Sequence, residues 1–184
     1  MMDKIVVALE GLPGGGKTTL AQRLAKELSG EYVPEIISTY KYRPDQDEFY
    51  IESEFEKAKV VSRTNKKFCF FDRNHISMLA YNYGKRANNI ENIYEMLVKR
   101  FKYLSEPDLY FYLRITDVFI CNKRKGTEGR NPVWVDNKNL EKIKEYYENF
   151  FSNIKNKVVI PVDELSLEEA YKLIVNHLKI NYVK

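Results

Sequence analysis

The sequence predicts an α/β fold, a three-layer α/β/α sandwich around a five-stranded parallel sheet, and three observations lead there. Short apolar runs of strand length recur along the 184 residues, stretches with apolar residues at helical spacing stand between them, and a glycine-rich loop sits at the first strand-to-helix junction. Parallel neighbours need crossover connections, and crossover helices cover both faces of the sheet, so this alternation implies the layers.

The first element is the β-like run Ile5, Val6, Val7, Ala8, Leu9. The segment Gly11-Leu12-Pro13-Gly14-Gly15-Gly16-Lys17-Thr18 follows it: glycine, four free positions, glycine, lysine and a hydroxyl residue. Average composition gives a chance match in roughly half a percent of chains of this length. In such a loop (Gly11, Pro13, Gly14, Gly15, Gly16) the backbone turns its N–H groups inward around an oxyanion. Lys17 reaches the β/γ-phosphates, and the hydroxyl of Thr18, with Thr19 beside it, is available to Mg²⁺. Leu20, Leu24, Ala25 and Leu28 continue as a helix over 17–29 with Gly30 as its stop, so phosphates would meet a positive helix N-terminus. Tyr32 and Val33 begin a second strand that ends near Pro34-Glu35.

Residues 39–47 mix aromatic, basic and turn residues, and Phe55, Val60 and Val61 suggest a helix after them. Phe49, Tyr50 and Phe55 fit either a base pocket or core packing at helical spacing. Phe68-Cys69-Phe70-Phe71 reads as a strand buried on both faces, with Asp72 at its carboxyl end, where open α/β sheets bind ligands and where a carboxylate can hold Mg²⁺. Ile90, Ile93, Tyr94, Leu97, Phe101 and Leu104 form one helical stripe that Pro107 ends. Residues 109–113 form strand four.

A short helical segment then leads into residues 121–131, where Lys123, Arg124, Lys125 and Arg130 surround two glycines. Phosphoryl transfer spreads negative charge over equatorial oxygens, so cations on a mobile lid, about residues 121–136, are expected there. Leu140, Ile143, Tyr147, Phe150 and Ile154 mark another helix and 158–160 the fifth strand. Ser166 with Glu169 forms a capping box opening the last helix, through Leu173, Ile174 and Leu178.

With 44% hydrophobic and 30% charged residues, no repeat and no linker, residues 1–184 are expected to form one domain. A net charge of +4 suits phosphate-bearing ligands and falls short of a nucleic-acid signature. Cys69 and Cys121, like His75 and His177, lack the paired spacing of a disulfide framework or zinc site. No stretch has signal-peptide layout or membrane-spanning length, so the expectation is a cytoplasmic protein with no membrane partner.

The residues Glu10-Gly11-Leu12, Asp72-Arg73 with Ser77 and Ala80-Tyr81-Asn82, and Pro107-Asp108-Leu109 before Tyr112-Leu113 together resemble the thymidylate kinase-like branch of the P-loop nucleoside and nucleotide kinases. The resemblance implies ATP as phosphoryl donor and Mg²⁺ as cofactor, with Arg73 contacting phosphate between donor and acceptor. It further implies that Asp72 serves Mg²⁺ or the acceptor, that Ser77 and Tyr81 lie near the acceptor nucleoside, and that Arg124 and Arg130 close from the lid. Members of that group often form homodimers. Pro13 stands where the group usually has an acidic residue, Asn74 replaces its tyrosine, and Val33-Pro34-Glu35 replaces its arginine-containing segment after strand two. That last segment is more similar to deoxynucleoside kinases, in which a glutamate deprotonates the sugar hydroxyl.

Three functions follow. The first is transfer of the ATP γ-phosphoryl to a nucleoside monophosphate, with Arg73, and Lys41 or Arg43, holding the acceptor phosphate. The second is a nucleoside or other small-metabolite kinase with Glu35 as general base. The third, ranked below both, is a regulatory nucleotide-binding switch; Asn122-Lys123 continues as Arg124-Lys125 and lacks the aspartate of a guanine-reading segment.

Overall fold

A computed structural model describes residues 4–37, 47–86 and 104–182. Five parallel strands, β1 (Ile5–Glu10), β2 (Glu31–Val33), β3 (Phe68–Asp72), β4 (Leu109–Arg114) and β5 (Lys157–Pro161), lie in the order β2-β3-β1-β4-β5. Among the described residues, six α-helices connect or cover them: α1 (Lys17–Glu27), α2 (Asp47–Arg63), α3 (His75–Arg86), α4 (Phe119–Lys125), α5 (Asn137–Asn153) and α6 (Leu167–Tyr182). The expected α/β architecture is therefore present. The stripe from Ile90 to Phe101, and Lys41 and Arg43, lie outside the described residues.

The sheet's centre is apolar on both faces, which is why β1, β3 and β4 read as continuous hydrophobic runs. Val7, Ala8, Leu9, Cys69, Phe70, Phe111 and Leu113 are all fully buried. Along β1 and β3 the register sets Leu9 opposite Asp72, and along β1 and β4 it sets Glu10 opposite Tyr112. Both β1 and β3 thus end in a carboxylate at the same edge.

Two local readings are corrected. Helix α1 ends at Glu27, and Ser29, not Gly30, takes the left-handed backbone that turns the chain, with φ 51°. Gly30 is there for space: a Cβ on it would lie 2.7 Å from Phe70 Cε2 and 3.0 Å from the Phe68 carbonyl oxygen. Helix α3 was not foreseen. Ile76, Ser77, Met78, Leu79, Ala80 and Asn82 are buried almost all round, so no polar face alternates with an apolar one. The capping box at Ser166 forms as read, with Ser166 Oγ and N each donating to Glu169 Oε2 and Glu169 N donating to Ser166 Oγ.

Because the contact at Gly30 involves strand backbone as well as a ring, Gly30→Ala is expected to destabilise the fold by about 1–3 kcal/mol, as overpacking does. Urea unfolding of the two proteins measures it; equal midpoints would mean that the turn shifts freely.

Candidate active site

The loop between β1 and α1 is built around backbone that only glycine adopts easily. Gly11, Gly14 and Gly16 have φ of 134°, 82° and 84°. A Cβ on Gly11 would lie 2.3 Å from the Leu113 carbonyl oxygen, a backbone atom that cannot step aside. Gly16 is the N-cap of α1 and offers no side-chain oxygen, so the first-turn N–H groups are left for an anion. Lys17 is buried, and its Nζ donates to the Leu12 carbonyl at 2.7 Å. Burial, then the nearby Arg73 guanidinium, lower its pKa to about 7, against the pull of Asp72, Glu10 and Glu35.

At the end of β3, Asp72 meets the loop. Thr18 Oγ1 donates to Asp72 Oδ2 at 2.6 Å, and Tyr32 OH donates to the same oxygen at 3.4 Å. Asp72 Oδ1 is buried and has no hydrogen-bond partner among the described residues.

Arg73 is the other left-handed non-glycine residue described, with φ 70°. Its N–H donates to the Leu9 carbonyl, and its side chain turns back beneath the loop. There Nη1 lies 3.0 Å from the Gly11 carbonyl oxygen, 2.9 Å from Ser77 Oγ and 3.3 Å from Tyr147 OH, while Nε lies 3.3 Å from Glu35 Oε1. Beneath this group sits Glu10, fully buried. It accepts from Asn74 N at 2.6 Å, Ser77 Oγ at 2.5 Å and Tyr147 OH at 3.1 Å. Burial raises the Glu10 pKa, and the nearness of Arg73 and the hydrogen bond from Ser77 work against that rise. Burial alone would weaken the charge on Arg73; Glu35, Tyr147, Glu10 and Asp72 more than offset it and raise its pKa. Asn74, where the resembled group has tyrosine, caps α3 through Oδ1, which accepts from Ile76 N at 3.0 Å.

Two cavities meet at Arg73. The larger, about 520 Å³, is lined by Pro13, Gly14, Gly16, Lys17, Thr18 and Thr19 of the loop and by Arg124, Lys125 and Arg130. The smaller, about 230 Å³, runs along α2 and α3 past Tyr50, Glu54, Lys57, Ser77, Met78 and Tyr81. Glu35, Arg73, Asn131 and Trp134 line both, so they stand at the junction. Of the three aromatics considered for a base pocket, Tyr50 faces the smaller cavity, whereas Phe49 is buried in the interior and Phe55 packs against the core.

The basic segment after β4 lies over the loop. Arg124 donates to the carbonyls of Gly14 at 3.3 Å and Val162 at 2.9 Å, and Arg130 to those of Gly126 at 2.6 Å and Trp134 at 2.9 Å. Trp134 stands 5.2 Å from the Arg73 guanidinium and 5.4 Å from the Tyr81 ring, and Asn131 Nδ2 donates to Tyr81 OH. The structure thus brings together Lys17, Thr18, Asp72, Arg73, Glu35, Arg124 and Arg130, with Ser77 and Tyr81 on the smaller cavity. Glu10 carries no sign in the sequence of being the buried anchor of Arg73, and Tyr147 reads there as one more core position. A tyrosine in an apolar stripe was the available signal, because a buried hydroxyl needs a partner. Trp134 and Asn131 carried no such signal.

A phosphate-binding loop, a strand-end carboxylate beside it and an adjoining second cavity define a P-loop nucleotide-binding protein of the α/β class. Residues 6–160 match the AAA domain family, and the chain belongs to it. It is 26% identical to the probable thymidylate kinase of Methanocaldococcus jannaschii, an alignment covering 97% of this chain and 98% of that one. It is 25% identical to the probable thymidylate kinase of Picrophilus torridus, covering 97% and 91%. Among solved structures, thymidylate kinase from Candida albicans superposes with a TM-score of 0.73 at 18% identity, covering 97% of this chain and 92% of that one. Deoxyadenosine kinase from M. mycoides with bound dATP gives 0.70 at 20%, covering 95% and 99%. The chain is a P-loop kinase, similar in sequence to thymidylate kinases and in fold to a thymidylate kinase and a deoxyadenosine kinase.

The lowered Lys17 pKa gives a signed prediction. A polyphosphate in the loop restores the charged form and raises the pKa, so binding takes up a proton where free Lys17 is neutral, above about pH 7 and below its ordinary 10.5. Calorimetric titration of tripolyphosphate in buffers of differing ionisation enthalpy is expected to give an uptake of up to about one proton near pH 8.5, absent below about pH 6 and absent in Lys17→Met. Binding near pH 8.5 with no uptake by the unmutated protein would mean that free Lys17 is already charged.

Proposed function

We propose that the chain is an ATP- and Mg²⁺-dependent phosphotransferase that moves the γ-phosphoryl to a nucleoside monophosphate. The observation that carries this reading is the shared wall of the two cavities: a donor's phosphates in the loop and an acceptor along α2 and α3 would meet at Arg73. Residues 1–184 act as one kinase domain, with about 121–136 as its lid. A third cavity of about 260 Å³, between the loop's glycines, Arg124 and the turn from Val162 to Leu167, suits the donor's base.

The residues present fit Mg²⁺. Thr18 gives its proton to Asp72 and keeps its lone pairs outward, and Asp72 has a buried oxygen with no partner. Held by Thr18 and Asp72, such an ion would supply positive charge to offset that of the donor's phosphates. Lys17 charges as phosphate arrives and holds the transferring group, Arg73 stabilises charge between donor and acceptor, and Arg124 and Arg130 exchange carbonyl partners for phosphate oxygens. Trp134 and Tyr81 close the acceptor's side and exclude water from it.

The contact between Glu35 and Arg73 favours a second reading, a nucleoside acceptor. Glu35 stands at the junction with its carboxylate held by Arg73, where a base accepting a sugar hydroxyl proton would have to be. A monophosphate has no such proton to lose, and would instead take Arg73 from Glu35.

ATP consumption with Mg²⁺ against a panel of nucleosides and monophosphates, dTMP included, tests both. Turnover with a monophosphate is expected, falling about 10²-fold or more in Lys17→Ala; in Glu35→Gln, kcat is expected to stay within about threefold. Turnover confined to nucleosides, with kcat in Glu35→Gln down by about 10²-fold or more, would replace the first reading by the second. Steady hydrolysis without any acceptor would overturn both.

A further inference from the structure

Helix α2 carries a buried ion pair on the wall of the smaller cavity. Lys57 is 1% exposed, and its Nζ lies 2.6 Å from Glu54 Oε1. The same ammonium donates to the Arg73 carbonyl at 3.0 Å. The backbone N–H of His75 lies near enough to favour the Glu54 carboxylate, and Glu10, reaching from β1, accepts from the N–H of Asn74. The two residues between β3 and α3, Arg73 and Asn74, therefore each give one peptide group to a buried charged side chain, the first to α2 and the second to β1.

This arrangement is more than burial requires. Lysine is almost never this buried unless paired, and an apolar pair of similar volume would usually serve stability at least as well. What the pair supplies is a fixed direction for the Arg73 carbonyl. Arg73 holds a left-handed backbone that side chains disfavour, and from that turn its guanidinium reaches the junction of the cavities. Released, the residue has every local reason to return to the extended region.

We propose that Lys57 is a positioning residue for phosphoryl transfer: held by Glu54, its ammonium fixes the Arg73 carbonyl and with it the turn that aims the Arg73 guanidinium between donor and acceptor. The proposal rests on the phosphotransferase reading above. Lys57 acts through Arg73, so its removal matters only while the Arg73 side chain is present to be aimed.

A double-mutant cycle tests this. Lys57→Met is combined with Arg73→Ala, and Glu54→Gln/Lys57→Met serves as a second variant in which no unpaired carboxylate remains should the single change not fold. Thermal melting and active-site titration with a tight donor analogue correct each protein for its folded fraction. Expected is a kcat lower by about 10-fold or more with donor KM within about threefold, and a further effect below about threefold in the Arg73→Ala background. An unchanged kcat, or the same loss with and without the Arg73 side chain, overturns the proposal. So does a raised acceptor KM with kcat retained, which would make Lys57 a direct acceptor contact. A parent protein that transfers phosphoryl to none of the panel removes the phosphotransferase reading itself, whereas an active parent with a fully active variant removes only the role of Lys57.

Discussion

The catalytic end of the molecule depends on the parallel pairing of β1 with β3. Leu9 lies opposite Asp72, and Arg73 N donates to the Leu9 carbonyl, so the last rung of the ladder sits directly beneath the phosphate loop. In a strand of alternating side-chain direction, a slip of one residue would turn Asp72 to the other face and separate it from Thr18. The register is enforced from both sides, since β3 is buried along its whole length and β1 is flanked by β3 and β4. The core therefore sets the distance between Thr18 and Asp72, and the loop's glycines allow that distance to be used.

Burial of charge is the second constraint. Glu10, Arg73, Lys17, Lys57 and Glu54 are all withdrawn from water within one region, and each alone would cost several kcal/mol in desolvation. They tolerate burial because each has a geometric partner: Glu10 takes three donors, Arg73 has acceptors on several sides, and Lys57 bridges a carboxylate and a carbonyl. Lys17 differs. Its one described hydrogen bond is to a neutral carbonyl, and desolvation prevails enough to bring its pKa near 7. A group so poised responds to an arriving anion, whereas Arg73 stays charged throughout.

Much of this was legible in the sequence, and what was not has physical reasons. The loop was readable because its backbone demands glycine at fixed positions, and the buried strands were readable because both faces are apolar. Asp72 and Arg73 are legible, but the anchor of Arg73 is not: Glu10 reads as the polar end of a strand, and only the fold reveals that Asn74 before α3, Ser77 of α3 and Tyr147 of α5 converge on it. Helix α3 escaped periodicity because it is buried nearly all round. The tryptophan at the junction escaped for a different reason, since the run Val133-Trp134-Val135 is too short to show a period, and its place beside Arg73 depends on how the chain after β4 returns over the loop. Nothing in the sequence sets Glu54 and Lys57, three residues apart, off from an ordinary exposed helix pair; their burial in the fold is what distinguishes them.

The cations around the larger cavity share one kind of partner. Lys17 rests on the Leu12 carbonyl, Arg124 on those of Gly14 and Val162, Arg130 on those of Gly126 and Trp134, and Arg73 in part on that of Gly11. A carbonyl satisfies a donor without cancelling its charge, so the field of these side chains remains available while their positions are already defined. An ionised phosphate would add charge attraction that a neutral carbonyl lacks, so on the proposed reading the exchange would run toward the ligand with little reorganisation. Glu35 is the departure from this pattern, because its carboxylate meets the Arg73 charge directly at 3.3 Å. A phosphate acceptor must compete with it, whereas a hydroxyl acceptor would use it. On the proposed phosphotransferase reading, the choice of acceptor would turn on that single contact rather than on the loop.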